Sequence, residues 1–106
     1  RTETLDRILR IVDADANIDA MAIEVSAMFA ARHWQRNPQA LEEMLDALQN
    51  HARRSDKPLV VVLHPAHEAE YVASIQHKFN ERRIPTYASF ERAAAALDRA
   101  AAAVGV

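Results

Sequence analysis

The stretch Leu59-Val60-Val61-Val62-Leu63 constrains this chain more than any other. It is apolar at every position and β-branched at its centre, with Lys57-Pro58 before it and His64-Pro65 after it. β-branched side chains lose freedom in a helix and fit a pleated strand. The flanking prolines stop a helix from running through. A strand sends successive side chains to opposite faces, so a run without a polar position needs cover on both sides. That is the signature of a parallel sheet held between helices, not of an antiparallel sheet with one wet face.

The remainder supplies the cover. Leu5, Ile8, Leu9 and Val12 recur at helical spacing, with Thr2 or Thr4 placed to cap the start. After a polar break, residues 18–26 (IDAMAIEVS) read as a buried strand. Arg32-His33-Trp34-Gln35-Arg36 reads as a loop. Asn37-Pro38 offers an N-cap and a proline at the first helical position, and Leu41, Met44, Leu45 and Leu48 carry that helix to about Arg53 or Arg54. A further helix over 68–82 shows Val72, Ile75 and Phe79 on one stripe, with Tyr71 beside it. Residues 84–88 form a short strand with Pro85 near its start, where a missing N–H is tolerated. Ser89 then caps a largely alanine helix that turns Phe90, Ala94, Leu97 and Val104 toward the sheet.

This alternation predicts an α/β fold: a small three-layer sandwich with a short parallel sheet, strands near 18–26, 58–63 and 84–88, flanked by helices. One junction departs from the usual chemistry. A helix that runs into a strand commonly ends on glycine, but here the residues are Arg82-Arg83-Ile84-Pro85. Arg83 or a neighbour is expected to end the helix under mild strain. The length of 106 residues suits one domain, 1–106. Because the chain opens on Arg1, with no initiator Met, it is expected to be a piece of something longer.

Composition removes several function classes. The net charge is −2 and no dense Lys/Arg stripe occurs, so neither nucleic acid nor an anionic membrane is an expected partner. No apolar run approaches the roughly twenty residues of a membrane helix. Without cysteine there is no disulfide, iron–sulfur cluster or thiolate zinc site, which fits a cytoplasmic location. The single glycine, Gly105, excludes GxGxxG and Walker A phosphate loops.

Three motifs carry a family resemblance. Asp15-Ala16-Asn17-Ile18-Asp19-Ala20 resembles a D-x-x-V-D-A lead-in to a strand. Lys57-Pro58-Leu59-Val60-Val61-Val62 resembles K-P-V-V-V-V. Ile84-Pro85-Thr86-Tyr87-Ala88-Ser89-Phe90-Glu91-Arg92-Ala93 resembles G-I-P-V-Y-x-S-P-E-R-A. In this order and spacing, and over nearly the whole chain, they resemble the last CoA-ligase (flavodoxin-like) domain of NDP-forming acyl-CoA synthetases, a group related to succinyl-CoA ligases. The resemblance implies a truncated flavodoxin-like domain. It also implies a parent that joins an acid to CoA at the expense of a nucleoside triphosphate, through an acyl phosphate and a phosphohistidine. CoA and Mg-ATP would be handled by partner domains of the CoA-binding and ATP-grasp types, with no cofactor bound by this domain. The chain departs from the family pattern at Arg83, where the family has Gly, and at Phe90, where it has Pro. It carries no Gly- and His-containing phosphohistidine loop, so no catalytic residue is carried over.

From the residues themselves, ligand- or interface-lining candidates are Ser26, Trp34, His64 and His67. Ser26 and His64 follow strands at the carboxyl edge, where open α/β sheets place ligands. His64 and His67, with Glu68 and Glu70, have donor types for a metal, although a helix-capping loop accounts for them more simply and no metal site is expected. Trp34 among Arg32, His33 and Arg36 looks like an aromatic–cationic surface patch suited to adenine or a neighbouring domain, although a Trp folded back over the helix edge accounts for it more simply. His51 and His77 are expected on solvated helix faces. The arginines at 53–54 and 82–83 are accounted for by the helix dipole alone. Two function classes follow: a non-catalytic scaffolding domain of an acyl-CoA synthetase, or a regulatory or interaction module of ligase-like fold, for example fused to an acyltransferase. A homo-oligomer is compatible with either.

Overall fold

The computed structural model describes residues 2–64 and 69–103. The element order is α1 (Thr2–Asp13), β1 (Met21–Val25), α2 (Ala27–Arg36), α3 (Pro38–Arg54), β2 (Leu59–Leu63), α4 (Ala69–Glu81), β3 (Thr86–Tyr87) and α5 (Phe90–Ala103). The strands lie in the order β1-β2-β3, and both pairings are parallel. The α/β sandwich expected from the valine run is therefore present. β2 sits at the centre with all five residues buried.

β1 and β3 are shorter than the sequence suggests. Residues 18–20 and 26, expected in the first strand, lie outside β1, and a turn over 15–18 precedes it. Asn17 N–H donates to Asp15 Oδ1 at 2.8 Å and Ile18 N–H to the Asp15 carbonyl at 3.1 Å, the side-chain-closed turn for which Asp is suited. At the other edge Val61 N–H donates to the Pro85 carbonyl at 2.9 Å, and the ladder then covers only Thr86 and Tyr87.

The two faces of β2 bury different things. Leu59, Val61 and Leu63 join Met21 and Val25 of β1, Leu9, Trp34, the α3 stripe Leu41-Leu45-Leu48, and Ile75 and Phe79 of α4 in one large cluster. Val60 and Val62 face Ala93 of α5, with Tyr87 and Leu97 at the margin. Helices α1, α2, α3 and α4 thus contribute to one layer and α5 to the other.

Several local expectations change. Residues 32–36 are helical, the second half of α2, and not a loop. Trp34 supplies the apolar anchor that turns this charged stretch inward. Asn37 makes no side-chain cap bond, so Pro38, with its preset φ, starts α3 alone. Ile8 does not share the buried face of Leu5, Leu9 and Val12; it is 53% exposed. Phe90 is 47% exposed and Ala94 is also exposed, whereas Ala93 is buried. The helix is rotated so that its smallest side chain meets Val60 and Val62. Val104 lies outside the described residues.

The glycine-free junction behaves as expected. Arg83 adopts φ 59°, in the left-handed region. Ile84 N–H donates to the Phe79 carbonyl and Arg83 N–H to that of Asn80, both at 3.0 Å. This is the Schellman arrangement, with arginine where glycine is usual. Ile84 and Phe79, both fully buried, share the large cluster and provide the apolar contact that accompanies this closure.

Candidate functional site at the carboxyl edge of the sheet

Because all strands run in one direction, their carboxyl ends share an edge. β1 leads there to Ser26, β2 to His64, and β3 to Ser89 and the start of α5. Glu24 stands beside Val62 in register. It projects on the α5 face, opposite to Ile23 and Val25, and its carboxylate meets His64 Nε2. The His64 ring lies edge-on to Phe90, with centroids 6.4 Å apart and planes at 69°. Ser89 Oγ accepts from the Arg92 N–H at 3.2 Å, closing the first turn of α5 as the sequence indicates.

The edge therefore presents a carboxylate–imidazole pair beside an aromatic ring. Both members of the pair are about half exposed. Such a pair can exchange a proton, but it stands open to solvent. The strand order also lacks a reversal of winding, the feature that opens a ligand crevice in doubly wound sheets. No cluster of three or more metal-ligating side chains occurs among the described residues. Residues 65–68, His67 and Glu68 among them, lie outside the described residues.

Ser26 is half-buried and lines an open apolar groove of about 530 Å³ with Leu5, Ile23, Val25, Trp34 and Met44. Trp34 is not the centre of a surface patch. It is 7% exposed, a wall of that groove, while the charged residues around it point to solvent. The structure thus joins Ser26 with Trp34 on the α3 face of β1. Glu24 borders that groove as well, and its carboxylate meets His64 on the opposite face.

A second cluster went unread in the sequence. His51, expected in solvent, is 2% exposed. Its Nε2 lies 3.7 Å from Asp13 Oδ1, and neither ring nitrogen has a hydrogen-bond partner. Ser55 Oγ donates to Asp13 Oδ1 and accepts from the Lys57 N–H, while Lys57 Nζ reaches the carbonyls of Asp13 and Asp15. Serine, histidine and aspartate are together, but the hydroxyl is bonded to the carboxylate, not to the imidazole. A nucleophile would need the reverse. The cluster is a clasp between the ends of α1 and α3. The available signal was position: His51 continues the stripe of Leu41, Leu45 and Leu48 by one more helical step.

The terminal arginines also do more than oppose a dipole. Arg54 pairs with Asp6 at 2.9 Å, and Arg82 spans Glu42 and Asp46. Lys78 adds a 2.9 Å contact to Glu42. The hydrogen bond from Lys78, reinforced by Arg82, holds the Glu42 carboxyl below its ordinary value. Arg10 and then Arg54 do the same to Asp6. Burial works against the Arg82 charge, and Asp46 and Glu42 outweigh it. His77 is exposed, as expected. No described helix is long and apolar enough to cross a membrane.

Compared with known families, curated proteins and solved structures, the chain matches none.

Proposed function

We propose that this chain is a non-catalytic scaffolding domain of an NDP-forming acyl-CoA synthetase, with CoA and Mg-ATP held by other domains of the enzyme. The observation that carries this reading is the placement of the three motifs. The DANIDA lead-in turns the chain into β1, the KP-valine run is the central strand, and IPTYASFERA runs through β3 into the capped start of α5. Each sits where a parallel, consecutively wound sheet requires it. The domain offers a parallel edge that bears a solvent-facing carboxylate–imidazole pair, Glu24 and His64. Its described loops supply no glycine with which to cradle phosphate.

Titration calorimetry of the 106-residue chain with CoA and with Mg-ATP tests the reading. The expected result is no binding tighter than about millimolar, some −4 kcal/mol or weaker. Micromolar binding of either ligand overturns the scaffold reading. The alternative, a ligase-like fold kept as an interaction module, is favoured by one observation: the open apolar groove beside β1.

A further inference from the structure

We infer that the open edge of β1 pairs with the β1 edge of a second copy of this chain, antiparallel and centred on Ile23. Met21 N–H donates to the Pro58 carbonyl at 2.9 Å, so the backbone groups of Met21, Ile23 and Val25 point toward β2. N–H and C=O alternate sides along a strand, and those of Ala22 and Glu24 therefore point outward. Neither residue has a backbone partner on that side among the described residues.

Apart from the charge of Glu24, the usual guards of a sheet edge are missing. β1 contains no proline, lysine or bulge, and Ala22 is small and exposed. The edge is also self-complementary. A two-fold axis through Ile23 sets Ala22 opposite Glu24 of the second copy, and Glu24 opposite its Ala22. Both are hydrogen-bonded pairs, and no carboxylate directly faces another. The half-buried Ile23 side chains then meet at the close, non-hydrogen-bonded position, on the face where the groove of Leu5, Val25 and Trp34 opens.

Helix α1 adds exposed apolar side chains of its own. Asp6 and Asp13 tie one flank of α1 to α3. Ile8 and Ile11, 53% and 65% exposed, lie on the flank turned away from it. A second copy is the occupant that fits, because the register in which the outward groups pair is also the register that separates the charges. The inference stands apart from the proposed enzymatic context.

Sedimentation velocity and light scattering across a concentration series test it. A short backbone ladder with one central apolar pair is a modest contact, so weak association is expected and is read from about 10 µM to about 1 mM. The expected limit is a mass of two chains. Ala22→Glu, which places carboxylates face to face at both pairs, is expected to raise the dissociation constant about tenfold or more. Ala22→Lys, which sets a lysine opposite Glu24, is expected to hold or tighten it. Ala22→Pro removes an outward N–H without touching the β2 ladder and is expected to give a monomer with unchanged circular dichroism. Should Ala22→Pro fail to fold, the Glu and Lys variants at this exposed position still decide the matter. A wild type that stays monomeric at about 1 mM overturns the inference. So does a mass that climbs past two chains, or a mass indifferent to Ala22→Glu.

Discussion

The two faces of the sheet are built on different terms. On one, helices α1 to α4 surround Leu59, Val61 and Leu63 with large side chains, among them the fully buried Phe79, Leu45 and Ile75. On the other, α5 meets Val60 and Val62 with an alanine, and the same face of β1 shows Ala22 and Glu24 to solvent. The first face carries the burial that stabilises the fold. The second leaves room at the carboxyl edge, where Glu24, His64 and Phe90 gather. A parallel sheet needs cover on both sides, but the two covers need not be equal.

The sharpest way to break this comparison is to empty the thick face. Phe79→Ala is expected to cost about 4 kcal/mol in urea unfolding, since a fully buried ring leaves a cavity. Overfilling the thin face comes next. Ala93→Leu, forced between α5 and Val60, is expected to cost about 2 kcal/mol. Leu97→Ala, at the half-buried margin of the same face, is expected to cost only about 1 kcal/mol. If Leu97→Ala matches Phe79→Ala, the asymmetry is wrong.

Two smaller tests sharpen the picture at its rim. Arg83→Gly relieves the left-handed backbone at the end of α4 and is expected to stabilise by about 0.5–1 kcal/mol, less any added freedom of the unfolded chain. The tie between α3 and α4 is tested by pH. The Glu42 carboxyl is depressed in the folded protein, so its contribution is present above its unfolded pKa. It fades as pH falls through and below the ordinary carboxylate range. With that carboxyl near the surface, the effect is expected to stay within about 1 kcal/mol. Thermal unfolding followed from neutral pH to pH ~3 should show a shallower acid slope in Glu42→Gln than in wild type.

The thick face and the central strand were legible because their residues repeat. LVVVL gave both the strand and its cover, and Val72, Ile75 and Phe79 marked α4. The Arg83 closure could also be read, because the sequence offered no glycine where one is usual. What escaped had a competing signal. Charge made residues 32–36 look like a loop, yet one tryptophan pointing inward was enough to make them helix. His51 looked solvated by residue type although its position continued an apolar stripe. Ile8 fits the helical repeat of α1 but falls on its outer flank. At the candidate site, the strand ends were foreseeable and the Glu24–His64 contact was not. That pairing depends on the register between β1 and β2, which neither strand encodes alone.

The clasp at Asp13 has a consequence for the order in which the chain assembles. Ser55 and Lys57 reach back across 42 and 44 residues to the end of α1. They thereby close a ring that holds β1, α2 and α3 before β2 begins. Closing a ring of that size costs chain entropy once, and everything inside then shares its protection. Amide exchange should accordingly find residues 13–57 opening as one body, while α5, with little to grip, lets go first.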